Sequence, residues 1–329
     1  MEQTVDFLII GQGIAGTLLS YELIKKGKSV LVIDQPHAQT ASRVAGAVIS
    51  PLTGKDWKPT NPLWMTTALA TYRSMAGLLK TTILQPGNLY LFPEGVENTP
   101  GFQALEDAPA AHIAACFQNT EGLKVVPGLW QVKAAELLDS WRLFLQEHRA
   151  IRATKFEPDL LNITANGLVY EDICAANIVF CEGAVSNARP WFPALPFTAN
   201  RGDVLFIHVP GLAQDAVYQN RYRLIPRGNN LFWCGSNYRW KFSNLLPDED
   251  WRAEVMSHLK QWLRLPFTLA DHQVALRPTT AGQQPLLLCS AKNSGIFLFN
   301  GLGTKGFSAG PFLAQKMANL LLKDEKMKS

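Results

Sequence analysis

An α/β fold is predicted: a parallel nucleotide-binding sheet assembled from discontinuous segments, with an α+β domain on a mostly antiparallel sheet inserted into it. Three observations carry this. A glycine-rich turn, Gly11, Gly13 and Gly16, stands between an apolar run and an amphipathic helix pattern near the start. A second one, "GLGTKGFSAGP", stands between the apolar run "GIFLF" and the helix pattern "FLAQKMANLLL" near the end. Between them lie short runs such as "NLYLF" and "DVLFIHV", bounded by glycine and proline, which read as strands. The 329 residues suffice for two domains.

The first unit is read in order. "VDFLII", residues 5–10, is a buried parallel strand by its length and β-branching. Leu18, Leu19, Leu23 and Ile24 form one apolar helical stripe, Gly27 ends that helix, and "SVLVID", 29–34, is the next strand. This is the opening βαβ unit of a Rossmann-like fold. Gly11 permits the tight turn, Gly13 lets the backbone approach a pyrophosphate, and Gly16 lets helix and strand pack closely. The helix start, with Ile14 and Ala15, turns unpaired N–H groups and about half a positive charge toward the phosphates. Asp34 ends the second strand, where its carboxylate can accept hydrogen bonds from a ribose diol, each worth roughly 1.5–3 kcal/mol.

Helices beside this sheet are read at "NPLWMTTALATYRSMAGLLKT" and "QVKAAELLDSWRLFLQEH". "GNLYLFPEG", "GDVLFIHVP", "RYRLIPRG" and "NLFWCGS" read as strands of the antiparallel sheet. "PDEDWRAEVMSHLKQWL" is a helix opened by Pro247 with acids in its first turn. The expected division is 1–84, 149–200 and 272–329 for the nucleotide domain, and 85–148 and 201–271 for the inserted domain.

Composition excludes several classes. A net charge of +4 is too small to argue for nucleic acid. The five cysteines (116, 174, 181, 234 and 289) show neither C-x-x-C spacing nor a neighbouring histidine, so neither zinc nor a disulfide framework is expected. Buried reduced thiols fit a cytoplasmic protein. The segment "MEQTVDFLII" lacks the positive charge of a signal peptide, and no apolar stretch reaches the ~18 residues of a membrane span. None of the six histidines pairs at ligand spacing. No metal, catalytic triad or membrane association is expected.

The adenosine half is common to NAD and FAD, so the first loop does not choose between them. The rest of the chain does. After Asp34 comes "QPHAQTASRVAGAVISP", with no continuing strand–helix unit, and the next nucleotide strands, "NIVFCEG" and "GIFLFNGLG", lie far downstream. A second glycine-rich helix start suits the negative charge that a reduced flavin carries near N1 and C2=O.

Four segments now resemble the D-amino acid oxidase, glycine oxidase and sarcosine oxidase family of FAD enzymes. They are "IIGQGIAGTLLSYELIKKGKSVLVID", "ASRVAGAVISP", "NIVFCEGAVSNARPWFPALPFTANRGDVL", and "ALRPTTAGQQPLL" with the C-terminal "GIFLFNGLGTKGFSAGPFLAQKMANLLL". "GLGTKGF" is also similar to the oxidoreductase domain of the bifunctional enzymes that finish 5-methylaminomethyl-2-thiouridine in tRNA. The resemblance implies flavin contacts at Gly11, Gly13, Ile14, Ala15, Gly16, Asp34 and Gln35. It implies others at Ala41, Ser42 and Gly46, at Glu182 and Gly183, and at Gly301, Gly303, Thr304, Lys305 and Gly306 along the pyrimidine side. It implies a substrate-carboxylate role for Arg277. The family's covalent-flavin position falls in "LRPTT", which has no cysteine, so non-covalent FAD is expected. Three positions depart from the family pattern: Gly282 for an aspartate, Leu288 for a glycine and Leu302 for a histidine.

Arg277, Lys305 and Tyr222 are the candidates for chemistry. An arginine fork suits a carboxylate better than lysine does. Lys305 is either a solvated loop charge or a cation over the flavin. Tyr222 lies in "RYRLIPR", read as a strand facing the flavin, although alternation sends half such side chains the other way. Arg43 and Lys55 could meet the diphosphate or a substrate carboxylate, or stay on the surface. Trp57, Trp64, Trp191, Trp233 and Trp240 read as core packing. The segment "NRYRLIPRGNNLFWCGSNYRW" interleaves arginines with aromatics. It reads as a sheet edge with snorkelling arginines rather than an RNA-facing stripe.

The expected function is FAD-dependent oxidation of an amine next to a carboxylate, with oxygen or another acceptor reoxidising the flavin. Two alternatives stand beside it: oxidation of a carboxymethylamino group on a tRNA wobble uridine, and flavin binding without turnover. A tRNA partner is the less favoured.

Overall fold

The computed structural model describes residues 3–35, 40–54, 57–94, 100–108, 111–164, 167–184, 190–192 and 195–328. His37 and Lys55 lie outside these residues.

The first sheet has eight strands among the described residues. Its order is Leu161–Thr164, Gly167–Tyr170, Ile173–Phe180, Gln3–Ile10, Val30–Ile33 and Ile151–Arg152. Ile296–Asn300 pairs with the C-terminal half of Ile173–Phe180, and Leu286–Cys289 pairs with Ile296–Asn300. The strands from Gln3, Val30, Ile151, Ile173 and Ile296 are parallel. Strand alternation divides the core. Phe7 and Ile9 point to the face covered by helices Ile14–Lys25, Pro62–Leu79, Ala134–Glu147 and Gly310–Lys328, while Leu8 and Ile10 point to the other face with Phe156, Tyr170 and Phe192. A fully buried side chain such as Leu18 contributes roughly 1.5–3 kcal/mol. Trp141 is buried with its indole N–H donating to Ser20 Oγ at 2.9 Å, so the ring adds area without an orphaned donor.

The second sheet runs Thr268–Thr280, Phe197–His208, Leu231–Gly235, Arg223–Pro226, Ala216–Gln219, Leu84–Leu91, Lys124–Val132 and Val48–Ile49, with Glu106–Asp107 beside Lys124–Val132. It is antiparallel except where Ala216–Gln219 meets Leu84–Leu91. Helix Glu249–Trp262 covers one face, packing Trp251, Val255 and Leu259 on Leu205, Leu224 and Phe232. Asp248 caps that helix by accepting from Trp251 N–H at 3.0 Å, and Glu249 and Asp250 stand in its first turn. The opposite face carries Val204, Val217, Ile225 and Trp233, packed with Val44 and Trp57. This second face is turned toward Ala41, Val44, Leu52 and Trp57, which follow the first βαβ unit.

The architecture is the expected one, an α/β nucleotide fold carrying a mostly antiparallel sheet. The division of the chain is finer than the sequence reading. Ala134–Glu147, inside 85–148, packs on the parallel sheet through Leu137, Trp141 and Leu145. The strand Thr268–Thr280 lies wholly on the second sheet, and Phe197–Asn200 starts there too. Val48–Ile49 also joins that sheet. The reason is strand length: a 13-residue strand, Thr268–Thr280, is long enough to run from the far end of one sheet to the turn that enters the other.

Candidate flavin and substrate site

The two glycine-rich turns meet. A Cβ at Gly16 would collide with the carbonyl of Gly11, so helix and loop touch backbone to backbone. Gly11 has φ +100°, and a Cβ there would lie 2.7 Å from Cys181 O. That places the 181–183 segment against the first turn. Asn300 Nδ2 donates to Gly183 O at 2.8 Å, tying that segment to the end of Ile296–Asn300. A Cβ at Gly306 would lie 3.0 Å from Ile14 Cγ2, so the second turn stacks on the start of the first helix. Gly303 N–H donates to Pro278 O at 3.1 Å, next to Arg277.

The start of helix Ile14–Lys25 is poorly compensated. Gly13 offers it no side-chain cap, and its first turn has no acid. Ile14 N–H donates to Ser42 Oγ at 2.9 Å, which carries the 40–44 turn onto the same spot. Such a helix start fits a diphosphate. Asp34 is oriented rather than free: its Oδ1 accepts from Gln12 N–H at 2.8 Å and its Oδ2 from Arg142 Nη1 at 2.6 Å. Arg142 also donates to Gln12 Oε1 at 3.0 Å and to Asp34 O at 3.1 Å. A carboxylate has about four lone-pair sites, so capacity remains for a ribose diol. Gln35 is exposed beside it, and Ala41, Gly46, Glu182 and Gly183 are partly buried.

The 44–46 segment lies against the second sheet. Trp233 Nε1 donates to Val44 O at 2.7 Å and Arg227 Nη2 to Ala45 O at 2.6 Å. A Cβ at Gly46 would lie 2.7 Å from Ile225 Cδ1. Burial pushes the Arg227 guanidinium down to about 10, against the opposing charge of Glu136.

Arg277 is partly buried over Gly202, where any Cβ would collide with its guanidinium. Nη1 donates to Asn200 Oδ1 at 2.7 Å and to Asn237 O at 3.1 Å, and Nη2 donates to Ser236 Oγ at 2.8 Å. The guanidinium lies 4.6 Å from the ring centroid of Tyr238. All three hydrogen-bonding partners are neutral, and no carboxylate pairs with Arg277 among the described residues. Burial lowers its pKa, opposed by Tyr238 and Asp203. Asn237 is itself pinned: Asp203 N–H donates to its Oδ1 at 2.7 Å, and its Nδ2 donates to Asp203 Oδ2 at 3.0 Å.

The other candidates are placed differently. Tyr222 sits on the opposite face of the second sheet, packed edge-on to Trp251 and His258, and donates to Glu254 Oε1 at 3.0 Å. Burial and Glu254 push its phenol up to about 12. The structure does not bring it to Arg277. Lys305 is exposed beside the second turn, its Nζ 5.5 Å from the Trp64 ring centroid, and Thr304 is exposed next to it. Arg43 pairs with Asp139 on helix Ala134–Glu147. Trp57 and Trp233 are buried, but Trp240 is 55% exposed. Arg142, Asn200, Gly202, Ser236, Asn237 and Tyr238 were not singled out in the sequence. Tyr238 alone had a local signal, an aromatic beside arginines, and the others are joined only by the fold.

Among the described residues no group of three His, Cys, Asp or Glu side chains is placed to hold a metal, and no helix is long and apolar enough to cross a membrane.

Comparison with known proteins agrees with this geometry. The chain is similar to the tRNA 5-methylaminomethyl-2-thiouridine biosynthesis bifunctional protein MnmC of Polaromonas sp., 27% identical over 96% of this chain and 56% of that protein. The Idiomarina loihiensis protein of the same name is 23% identical, over 95% of this chain and 55% of its own length. The chain thus spans about half the length of these relatives. Among solved structures, iminodiacetate oxidase of a Chelativorans species shares the fold at a TM-score of 0.74 and 19% identity, covering 96% of this chain and 95% of its own. Glycine oxidase of Bacillus cereus does so at 0.77 and 16%, covering 97% and 95%. The sequence profile described as DAO, FAD dependent oxidoreductase, matches residues 6–320. With that profile spanning nearly the whole chain, and its two glycine turns closed on one another, the chain belongs to the DAO family of FAD-dependent oxidoreductases.

Proposed function

We propose that the protein oxidises a small amine carrying an adjacent carboxylate, an amino acid or N-substituted glycine, with oxygen or another acceptor completing the cycle. The observation that carries this is Arg277: a partly buried guanidinium held by neutral acceptors, with no carboxylate paired to it among the described residues.

FAD, when bound, supplies the two-electron acceptor. The residues fit it. The uncapped helix start at Gly13, the oriented Asp34 and the turn 301–306 would hold diphosphate, ribose and pyrimidine respectively. The chain's own residues then bind and orient. Arg277 takes the substrate carboxylate by charge-assisted, two-pronged bonds, and Asn200, Ser236 and the Asn237 carbonyl fix the plane of the fork. Tyr238 covers one guanidinium face. This fixes the α-carbon relative to the carboxylate and converts binding energy into orientation.

The test is an anaerobic screen of amino acids and N-substituted glycines, read as loss of flavin absorbance. Bleaching by acids and not by their amides is expected. No bleaching by any of them would overturn the reading.

The relatives named for tRNA 5-methylaminomethyl-2-thiouridine biosynthesis support a second reading, in which the carboxylated amine is a carboxymethylamino group on tRNA. Bleaching by such a tRNA at micromolar concentration, weakened by salt, would favour it over the small-molecule substrate.

A further inference from the structure

A second arginine shares the Arg277 face of the sheet. Arg223 opens the strand Arg223–Pro226, and Ile225 and Trp233 lie on its side while Leu224 and Phe232 go to the helix-covered side. Its register partners are Gly235, which has no side chain to cover it, and Gln219.

The guanidinium of Arg223 is anchored by one neutral group. Nε donates to Gln219 Oε1 at 2.7 Å, and Nη2 donates to the same oxygen. A guanidinium has five N–H donors, so this leaves three for a ligand. No carboxylate pairs with Arg223 among the described residues. The residue keeps some accessible surface, yet is enclosed enough for lost hydration to lower its pKa. Arg223 is therefore a partly enclosed arginine on the same side of its strand as Ile225, opposite Gly235.

Tyr238 joins the two arginines. Its ring lies against Arg277, and its phenol opposes the loss of charge on both guanidiniums. Gly235 and Ser236 stand between them in the chain path: Gly235 is opposite Arg223, and Ser236 Oγ accepts from Arg277. Neither guanidinium has a carboxylate partner among the described residues, and both are held by neutral acceptors. An unpaired buried charge is costly to leave without a counter-ion. Resting on the reading of Arg277 as the carboxylate clamp, we infer that Arg223 is a second carboxylate-binding group, so that the substrate is an amino diacid, its amine flanked by two carboxylates.

The geometry assigns distinct duties. Arg277 sets the carboxylate next to the carbon that is oxidised, and Arg223 selects for the second carboxylate. Arg223 is thus a specificity residue. Arg227, by contrast, spends its donor on Ala45 O and holds the 44–46 segment.

The test uses the FAD-loaded protein and two ligands that cannot be oxidised at an amine. Thiodiacetate carries two carboxylates, and (methylthio)acetate carries one. Their Kd values are measured by calorimetry on the wild type, Arg223→Gln and Arg277→Met, with flavin occupancy and Tm checked for each variant. The wild type is expected to bind the diacid at least tenfold more tightly than the monoacid. Arg223→Gln should abolish that preference and change the monoacid Kd less than twofold. Arg277→Met should weaken both.

Gln219→Glu supplies a second test if Arg223→Gln fails to fold. It gives Arg223 an internal carboxylate and should likewise remove the diacid preference. Equal affinity of wild type for diacid and monoacid overturns the inference, as does equal loss of both ligands in Arg223→Gln. A phosphonomethyl analogue of thiodiacetate that binds more tightly than the diacid would reassign the subsite to phosphate and overturn the diacid class. If Arg277→Met alters neither ligand, the failure lies with the Arg277 reading instead.

Discussion

Gly202 contributes to the site by lacking a side chain. Its Cα lies under the Arg277 guanidinium, and a methyl there would occupy the place of the fork. Gly202→Ala should therefore leave FAD bound and displace Arg277. The expected loss is at least about tenfold in kcat/KM for a carboxylate-bearing amine, because a shift of about 1 Å is enough to spoil orientation. Arg277→Met should cost more, on the order of a hundredfold, since it removes the charge while keeping an apolar stem. The check is kcat/KM for an acid and its matched amide on wild type and both variants. The acid should suffer and the amide should not. Equal losses would assign Arg277 and Gly202 to the fold rather than to the substrate. Gly202 was invisible in the sequence because its role depends on an arginine 75 positions away, brought beside it by strand register.

At the scale of elements, legibility followed locality. The strand Gln3–Ile10, the helix Ile14–Lys25 and the strand Val30–Ile33 are contiguous, so their period and glycine punctuation were sufficient. Lys124–Val132 and Ala216–Gln219 were not read, because their strand character comes from pairing with Leu84–Leu91 rather than from a local pattern. Tyr222 and Arg223 show the limit of alternation. The pattern says that adjacent residues face opposite sides, and only tertiary packing says which side meets the flavin. Arg223 reads in sequence as an edge residue, but its strand is interior to the second sheet.

Asp203 is the knot between these elements. Fully buried, it lies 3.0 Å from Arg201 and 3.1 Å from His272, and it accepts from Asp248 N–H at 3.0 Å and from Asn237. Burial alone would raise its pKa, but hydrogen bonds from His272, Asp248 N–H and Asn237, with the Arg201 charge, hold it below the ordinary carboxylate range. A depressed carboxylate stabilises the fold fully above its unfolded pKa of about 3.9, and that contribution is lost as pH falls through the folded value. Asp203→Asn should lower unfolding stability at neutral pH by about 3 kcal/mol. It should also remove part of the acid-dependent loss below about pH 4. Urea titrations of both proteins from neutral pH to about pH 3 check this. Parallel pH curves would remove Asp203 as the titrating group.

For the whole molecule, FAD is expected to act as a non-covalent structural ligand. The nearby cysteine, Cys181, is buried, and burial pushes its thiol well above the ordinary range, as it does for Cys234 on the far face of the second sheet. Such thiols are protonated and poor nucleophiles. Heat or acid should therefore release intact FAD into the supernatant, and colour retained in the protein pellet would refute this. Because FAD would bridge the first turn, the 301–306 turn and the 44–46 segment, its binding should stabilise the folded state by mass action. Above Kd, each tenfold rise in free FAD adds about 1.4 kcal/mol. For a chain of 329 residues unfolding in one step, that is about 2 °C in Tm. Asp34→Asn keeps an acceptor for Gln12 N–H but loses the charge facing Arg142, so the apoprotein Tm should fall by itself. Loss of the charge-assisted ribose bonds should in addition displace the Tm curve by about one decade along the log FAD axis, with the slope unchanged. The measurement is Tm against free FAD for both proteins. A lower apoprotein Tm with no displacement would make Asp34 a purely structural partner of Arg142, and a Tm insensitive to FAD would refute the bridging role.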